Sequence, residues 1–432
     1  MLGKTVGGDF SSNLDFVLPE MVKIRQVFDP GKIGDITEII NKEFLKPEIV
    51  KIIKPGSVVA IGCGSRGIAN IATIVLCVVS KLKSMGVSPF IFPCMGSHGS
   101  GTAEGQKKVL ESYGISEDAM GCEIRSSVET VVAGHIDDGT PVYTDRNAFE
   151  ADGIIVINRV KPHTGFRGKI ESGITKMLSI GIGKMIGAST YHQHGMDKFP
   201  VLLPKIRDCQ IKNSRILFGV GIVENAYDQT AHIELITAND IADREPDLQK
   251  MAKKIMPKLN FPEIDVLIID EMGKNISGAG FDPNITGRSR SVKNWCTGTT
   301  VKRIVVLGLS KESHGNATGV GGADIITMGL YRDINLEATY ANCITSRALV
   351  GASIPMVMNS DREAITLALG TVVGVAPEKC KVVRIKNTLS LDIIEVSKSL
   401  LPWVKKNPCL LEAISDPATI TFSPQGFIKP SS

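Results

Sequence analysis

Short apolar runs of strand length alternate with helix-length periodic segments along most of the chain, and this alternation limits the possible folds more than any other feature. SVVAIG (57–62) leads into the helical pattern IANIATIVLCVVSKLKSMG (68–86), which stops at Gly86, and SPFIFPCMG (88–96) follows. A helical stretch through GQKKVLESYG, a cluster of short strands near 122–144 and the strand GIIVINRV (153–160) continue the series. Strands that alternate with helices pack as a largely parallel sheet, because each parallel connection must cross over a face of the sheet. The fold class is therefore α/β. At 432 residues the chain exceeds one ordinary core, so two α/β domains with mostly parallel sheets are expected, with the active-site cleft between them.

The first domain is expected over 1–262 and the second over 263–432. DREPDLQKMAKKI closes the first as a charged helix, and DVLIID opens the second, with RIVVLGLS, PMVMNS and KVVRIKN as further strands. Ser360 and Glu363 stand at capping-box spacing and start a helix in SDREAITLALG. IIEVSKSLLPWVKK reads as a terminal helix that could pack on either domain.

Composition excludes several classes of function. With 43% hydrophobic and 22% charged residues and a net charge of +4, the chain reads as a globular protein without the basic, aromatic-studded stripe of a nucleic-acid binder. The N-terminus has no apolar signal region, and the most apolar segment (68–79) is broken by Asn70 and Thr73 and too short for a bilayer. A cytoplasmic location without membrane contact is expected. Nine cysteines without a C-x-x-C pair support neither a zinc ribbon nor a disulfide framework.

AIGCGSRGIAN (60–70) spells G-x-G-x-x-G at Gly62, Gly64 and Gly67. This is the pattern of a dinucleotide turn, and an NAD-dependent oxidoreductase is one reading of it. That fold wants an acidic residue at the end of its second strand, where FPCMGSHG offers Cys94, Ser97 and His98 instead. The loop also carries Arg66, whose planar fork suits a carboxylate; a surface arginine in a glycine turn is the plainer alternative. His98 and His163 both fall just past strands, where sites of α/β folds gather. His192 and His194 form H-x-H, without a nearby third ligand. Lys176, in GITKMLSIG, lies among small and apolar residues, either snorkelling from a helix or held for covalent chemistry.

Taken in order, Arg66, GSH98, H163TGFRGKIESGITK176MLSIG and His192 resemble the nickel-pincer lactate racemases and their isomerase relatives. The resemblance implies that Arg66 binds the substrate carboxylate and that His98 and His163 are the catalytic acid and base. It implies that Lys176 holds a pyridinium thiocarboxylic acid mononucleotide covalently. His192, sixteen positions on, would ligate its nickel, with His194 as the competing ligand. The implied reaction is racemisation or epimerisation of a 2-hydroxy acid by hydride removal and return, and the implied partners are that acid and the cofactor-synthesis enzymes. Against the family pattern, Cys63 stands where an acid precedes the arginine, and Ile180 replaces a proline. The second domain is the most divergent; Arg288, Arg290 or Lys293 could supply a further cation to the substrate. A non-catalytic relative that binds an anion or metal is the remaining alternative.

Overall fold

The structure, a computed structural model, describes residues 16–65, 67–292, 295 and 297–429. These divide into two compact units, one of residues 29–256 and one of residues 16–28 with 257–429. The chain thus enters the second unit first, through β1 (Met21–Gln26), and returns to it after completing the other.

The 29–256 unit contains β2 (Val58–Cys63), β3 (Ser88–Pro93), β4 (Thr130–His135), β5 (Pro141–Asp145), β6 (Gly153–Arg159), β7 (Ile216–Glu224) and β8 (Thr230–Thr237). Five of them form a sheet in the order β3-β2-β6-β7-β8, parallel except for β8, while β4 and β5 pair separately. Its main helices are α1 (Ile36–Phe44), α2 (Ile71–Ser84), α3 (Ala103–Ser112), α4 (Lys184–His192), α5 (Phe199–Asn213) and α6 (Ile241–Ile255). The strand residues alternate between two apolar layers, as the period of two requires. Val59, Ile61, Ile155 and Ile157 meet Ile40 and Phe44 of α1 and Ile74 and Val78 of α2. On the opposite face Ala60, Ile154 and Val156 meet Ile174, Met177 and Leu178, together with Leu248 and Ala252 of α6.

The strand order reverses direction beside β2: the chain moves outward to β3 and then back across to β6. Crevices at the carboxyl ends of strands flanking such a reversal are the usual ligand sites of open parallel sheets. Here those ends run into 63–65 and 159–163, the second of which leads to His163.

The second unit is built on an eight-stranded sheet: β1 with β9 (Glu263–Met272), β10 (Thr300–Leu309), β11 (Ile325–Thr327), β12 (Met356–Met358), β13 (Val382–Ile385), β14 (Ile393–Ser397) and β15 (Leu411–Ala413). Its order is β12-β11-β10-β9-β13-β14-β1-β15, parallel from β12 to β13 and antiparallel beyond. The α/β class and mostly parallel sheets are as expected. The expected 1–262 boundary differs from the observed units, because β1 pairs with β14 and β15 instead of joining the first sheet. Gln26 fastens its end: Nε2 donates to Leu391 O (2.8 Å) and Oε1 accepts from Asn260 N (3.0 Å).

The helix expected across IIEVSKSLLPWVKK is a second difference. IIEVS is strand β14, with Ile394 and Val396 buried on one face, and only Leu401–Lys406 forms an α-helix. That helix lies in the second unit, where Trp403 Nε1 donates to Asn260 O at 2.8 Å. The helix start holds: Ser360 Oγ accepts from Glu363 N (3.2 Å), opening α7 (Asp361–Gly370), while the Glu363 carboxylate accepts from Asn359 N (3.0 Å), one residue before the cap.

Candidate active site

The glycine loop is built for close packing. A Cβ on Gly62 would lie 2.9 Å from Phe92 Cζ on β3, and one on Gly64 would lie 3.2 Å from Asn158 Oδ1 on β6. Gly62 and Gly64 are not among the glycines in the left-handed region, and α2 begins only at Ile71. An amide just before that helix start is already taken, since Ala69 N donates to Glu224 Oε1 at 2.7 Å while the other oxygen pairs with Arg159. A diphosphate would meet a carboxylate there, which argues against the dinucleotide reading. Arg66 itself lies outside the described residues. Cys63, where the family pattern has an acid, is fully buried, and that burial pushes its thiol pKa up, keeping it neutral.

His98 follows β3 in a glycine-rich turn, and its Nδ1 is hydrogen-bonded to Ser65 Oγ in the loop after β2. Tyr113 Oη holds the Ser65 carbonyl (2.7 Å), while Gln106 Nε2 donates to the carbonyls of Gly96 (2.9 Å) and His98 (3.2 Å). Gly99, at φ +62°, has Gln106 N only 2.7 Å from where a Cβ would stand, so no side chain fits. The loops after β2 and β3 are thereby tied together.

His163 follows β6 in a loop that closes where Lys161 N donates to Ser172 O at 3.0 Å. Its Nδ1 accepts from Gly165 N (3.0 Å), so the neutral ring carries its proton on Nε2. The fully buried Glu171 organises the backbone, accepting from His163 N (2.8 Å), Gly168 N (3.2 Å) and Lys253 Nζ (2.6 Å). The imidazole stacks on Phe166 (ring centroids 4.4 Å), Phe166 meets Phe199 (5.6 Å), and Phe199 meets His192 (5.0 Å). His163 and His192 are thus members of one aromatic cluster.

Lys176 ends a single α-turn (Ile174–Lys176) that passes directly into a π-turn (Met177–Gly181). π-turns cost regular hydrogen bonding and occur often at functional sites. Glu245, fully buried on α6, accepts from Thr175 N at 3.0 Å and from Thr175 Oγ1 at 2.5 Å. Burial outweighs those donors and Arg207, and lifts its carboxyl pKa to about 7. Lys176 and His192 are half-buried. His192 ends α4, which is held where Tyr143 N donates to Tyr191 Oη at 3.0 Å. His194 is engaged elsewhere, with Nε2 3.2 Å from Thr140 Oγ1 in the β4–β5 connection. Of the H-x-H pair, His192 therefore faces the aromatic cluster, and His194 has a structural partner.

Two of the cations named in the second domain are paired within it. Arg288 and Arg290 both pair with Asp324, at 2.6 and 2.8 Å, and Lys293 lies outside the described residues. Three groups were missed by sequence reasoning: Glu171, Glu245 and Lys184. Lys184 is fully buried with φ +55°, pairs with Asp145 (2.9 Å) and donates to Pro93 O (2.5 Å), tying α4 to the end of β3. A signal existed for Glu245, because Glu245, Gln249 and Lys253 recur every four residues along α6, beside the apolar phase of Leu248 and Ala252.

By fold and site this is an α/β protein with candidate acid–base groups at the carboxyl ends of a parallel sheet. Residues 24–201 match the family model described as the lactate racemase N-terminal domain. The solved structure of the lactate racemase apoprotein from Thermoanaerobacterium thermosaccharolyticum is similar in fold, with a TM-score of 0.54 over 86% of this chain and 99% of that one at 12% identity. No curated protein matches the chain significantly in sequence. Among the described residues, no helix is long and apolar enough to cross a membrane.

Proposed function

We propose that the protein is an isomerase that racemises or epimerises a 2-hydroxy acid, with a nickel-pincer nucleotide bound covalently to Lys176 and through nickel to His192. The observation that carries this reading is the Phe166–Phe199 cluster joining His163 to His192, with Lys176 opening a π-turn on the segment between them. The residues fit such a group: one amine for the covalent bond and one imidazole for the metal, a neutral ligand suited to nickel.

When bound, the group supplies an acceptor for hydride from the substrate α-carbon. Arg66 would clamp the substrate carboxylate with its two-pronged guanidinium. His98 and His163 would handle the hydroxyl proton on the two faces. The neutral His163 ring, with Gly165 N–H on its Nδ1, presents Nε2–H as a donor. His98 meets a hydroxyl, which donates or accepts, so its Nε2 can be left as the base. The reading requires the cofactor-synthesis enzymes for maturation and puts the protein in the cytoplasm.

The test is coexpression with those enzymes, followed by intact mass, metal analysis and chiral assay of a panel of 2-hydroxy acids. The expected result is a covalent mass on the Lys176 peptide, bound nickel and interconversion of one acid or a few. A fully active protein without modification would overturn the reading.

A further inference from the structure

One face of α6 touches the segment 163–176 at three levels. Glu245 receives Thr175 N and Oγ1, one residue before Lys176. Gln249 Oε1 accepts from Glu171 N at 3.3 Å. Lys253 Nζ reaches the Glu171 carboxylate at 2.6 Å and the Gly168 carbonyl at 3.4 Å. Glu171 in turn carries the backbone amide of His163.

Covering a sheet does not require this chemistry. Leu248 and Ala252 on the same helix already do it, and leucines at 245 and 249 would do it without desolvating a carboxylate. Two fully buried carboxylates, Glu171 and Glu245, are instead spent on the backbone of a single loop. What they provide is direction, since a carboxylate receiving two or three N–H groups fixes the orientation of a turn as apolar packing cannot.

We propose that Glu245, Gln249 and Lys253 of α6 are positioning residues that hold His163 and Lys176 in one rigid frame before any cofactor is attached. The catalytic meaning of that frame rests on the isomerase reading; the frame itself does not. It has two addresses: Glu245 governs the lysine turn, and Lys253, through Glu171, governs the histidine loop. Gly173 lies at the first of these, where a Cβ would stand 2.3 Å from Glu245 Oε1.

The experiment compares the full-length wild type with Glu245→Ala, Glu245→Gln, Lys253→Met and Gly173→Ala, first without cofactor and then after coexpression with the cofactor-synthesis enzymes. Amide exchange on the cofactor-free protein should quicken about tenfold or more at 173–178 in Glu245→Ala and Gly173→Ala, and at 163–171 in Lys253→Met, with the β6 amides unchanged. Glu245→Gln, which keeps an acceptor for Thr175 N, should restore slow exchange. In the coexpressed proteins the Lys176 adduct should fall about tenfold in Glu245→Ala and return in Glu245→Gln. Exchange that rises uniformly, or does not rise, overturns the proposal, as does a glutamine variant no better than alanine. Gly173→Ala leaves α6 intact, so it decides the lysine address even if Glu245→Ala fails to fold. A wild type that gains no adduct refutes the isomerase reading alone, because the exchange measurements still decide the frame.

Discussion

Replacing Glu245 by glutamine should abolish one component of the pH dependence of folding. Glu245 is fully buried, and its pKa is raised from 4.5 to about 7, chiefly by burial. An acid with a raised folded-state pKa favours the native state while protonated. Its contribution is complete below pH 4.5, declines as pH climbs from 4.5 toward 7, and is gone above that. At 1.36 kcal/mol per unit, the lost stabilisation is about 3 kcal/mol. Glutamine does not titrate, so relative to Glu245→Gln the wild type should lose that amount between pH 4.5 and 8, or roughly 6–12 °C in Tm for a unit of this size. Both tryptophans, Trp295 and Trp403, lie in the other unit, so their fluorescence reports the wrong transition. Urea unfolding followed by far-ultraviolet circular dichroism at several pH values is the suitable assay. A constant difference between the two proteins would refute the argument. It would mean that the Thr175 donors and Arg207 stabilise the carboxylate enough to offset burial.

Other perturbations have equally definite outcomes. Lys184→Met should destabilise the protein by about 3–5 kcal/mol in denaturant titration, because Asp145 is left as an uncompensated buried charge. His194→Ala should cost roughly 1 kcal/mol through the lost Thr140 contact, with nickel retained, whereas His192→Ala should keep the Lys176 adduct and lose nickel by metal analysis. Arg66→Ala should weaken hydroxy-acid binding by about 2–4 kcal/mol in calorimetry, and Arg66→Lys should recover little of it.

The parallel strands of the first sheet were legible because apolar runs such as IIVI in β6 are buried on both faces and need no partner to be recognised. MVKIRQ and IIEVS were not, for opposite reasons. The first is a short alternating run whose partners lie near residues 395 and 412, so no local pattern assigns it to a sheet. The second runs into a real helix start, and IIEVSKSLLPWVKK satisfies a helical period as readily as a strand followed by a helix. Among the site residues, His98 and His163 were visible from their strand-end positions. Glu171 was not, and for Glu245 the recurrence along α6 marked a polar stripe without naming its partner, since each meets a residue about 70 to 80 positions away. The contact of His194 with Thr140, a residue 54 positions distant, was likewise invisible in the H-x-H pattern.

The placement of β1 between β14 and β15 has a consequence for synthesis on the ribosome. Met21–Gln26 emerges early, yet the strands that flank it are encoded some 370 to 390 residues later. At roughly 5–20 residues per second, this strand waits on the order of 20 to 80 s for its neighbours. In that interval every strand of the five-stranded sheet has been made, so the 29–256 unit can mature while β1, which belongs to the other unit, is unpaired. A nascent chain arrested between the end of the 29–256 unit and residue 390 would therefore carry a folded unit and an open β-strand, the kind of edge that ribosome-bound chaperones shield and that neighbouring nascent chains on a polysome can capture.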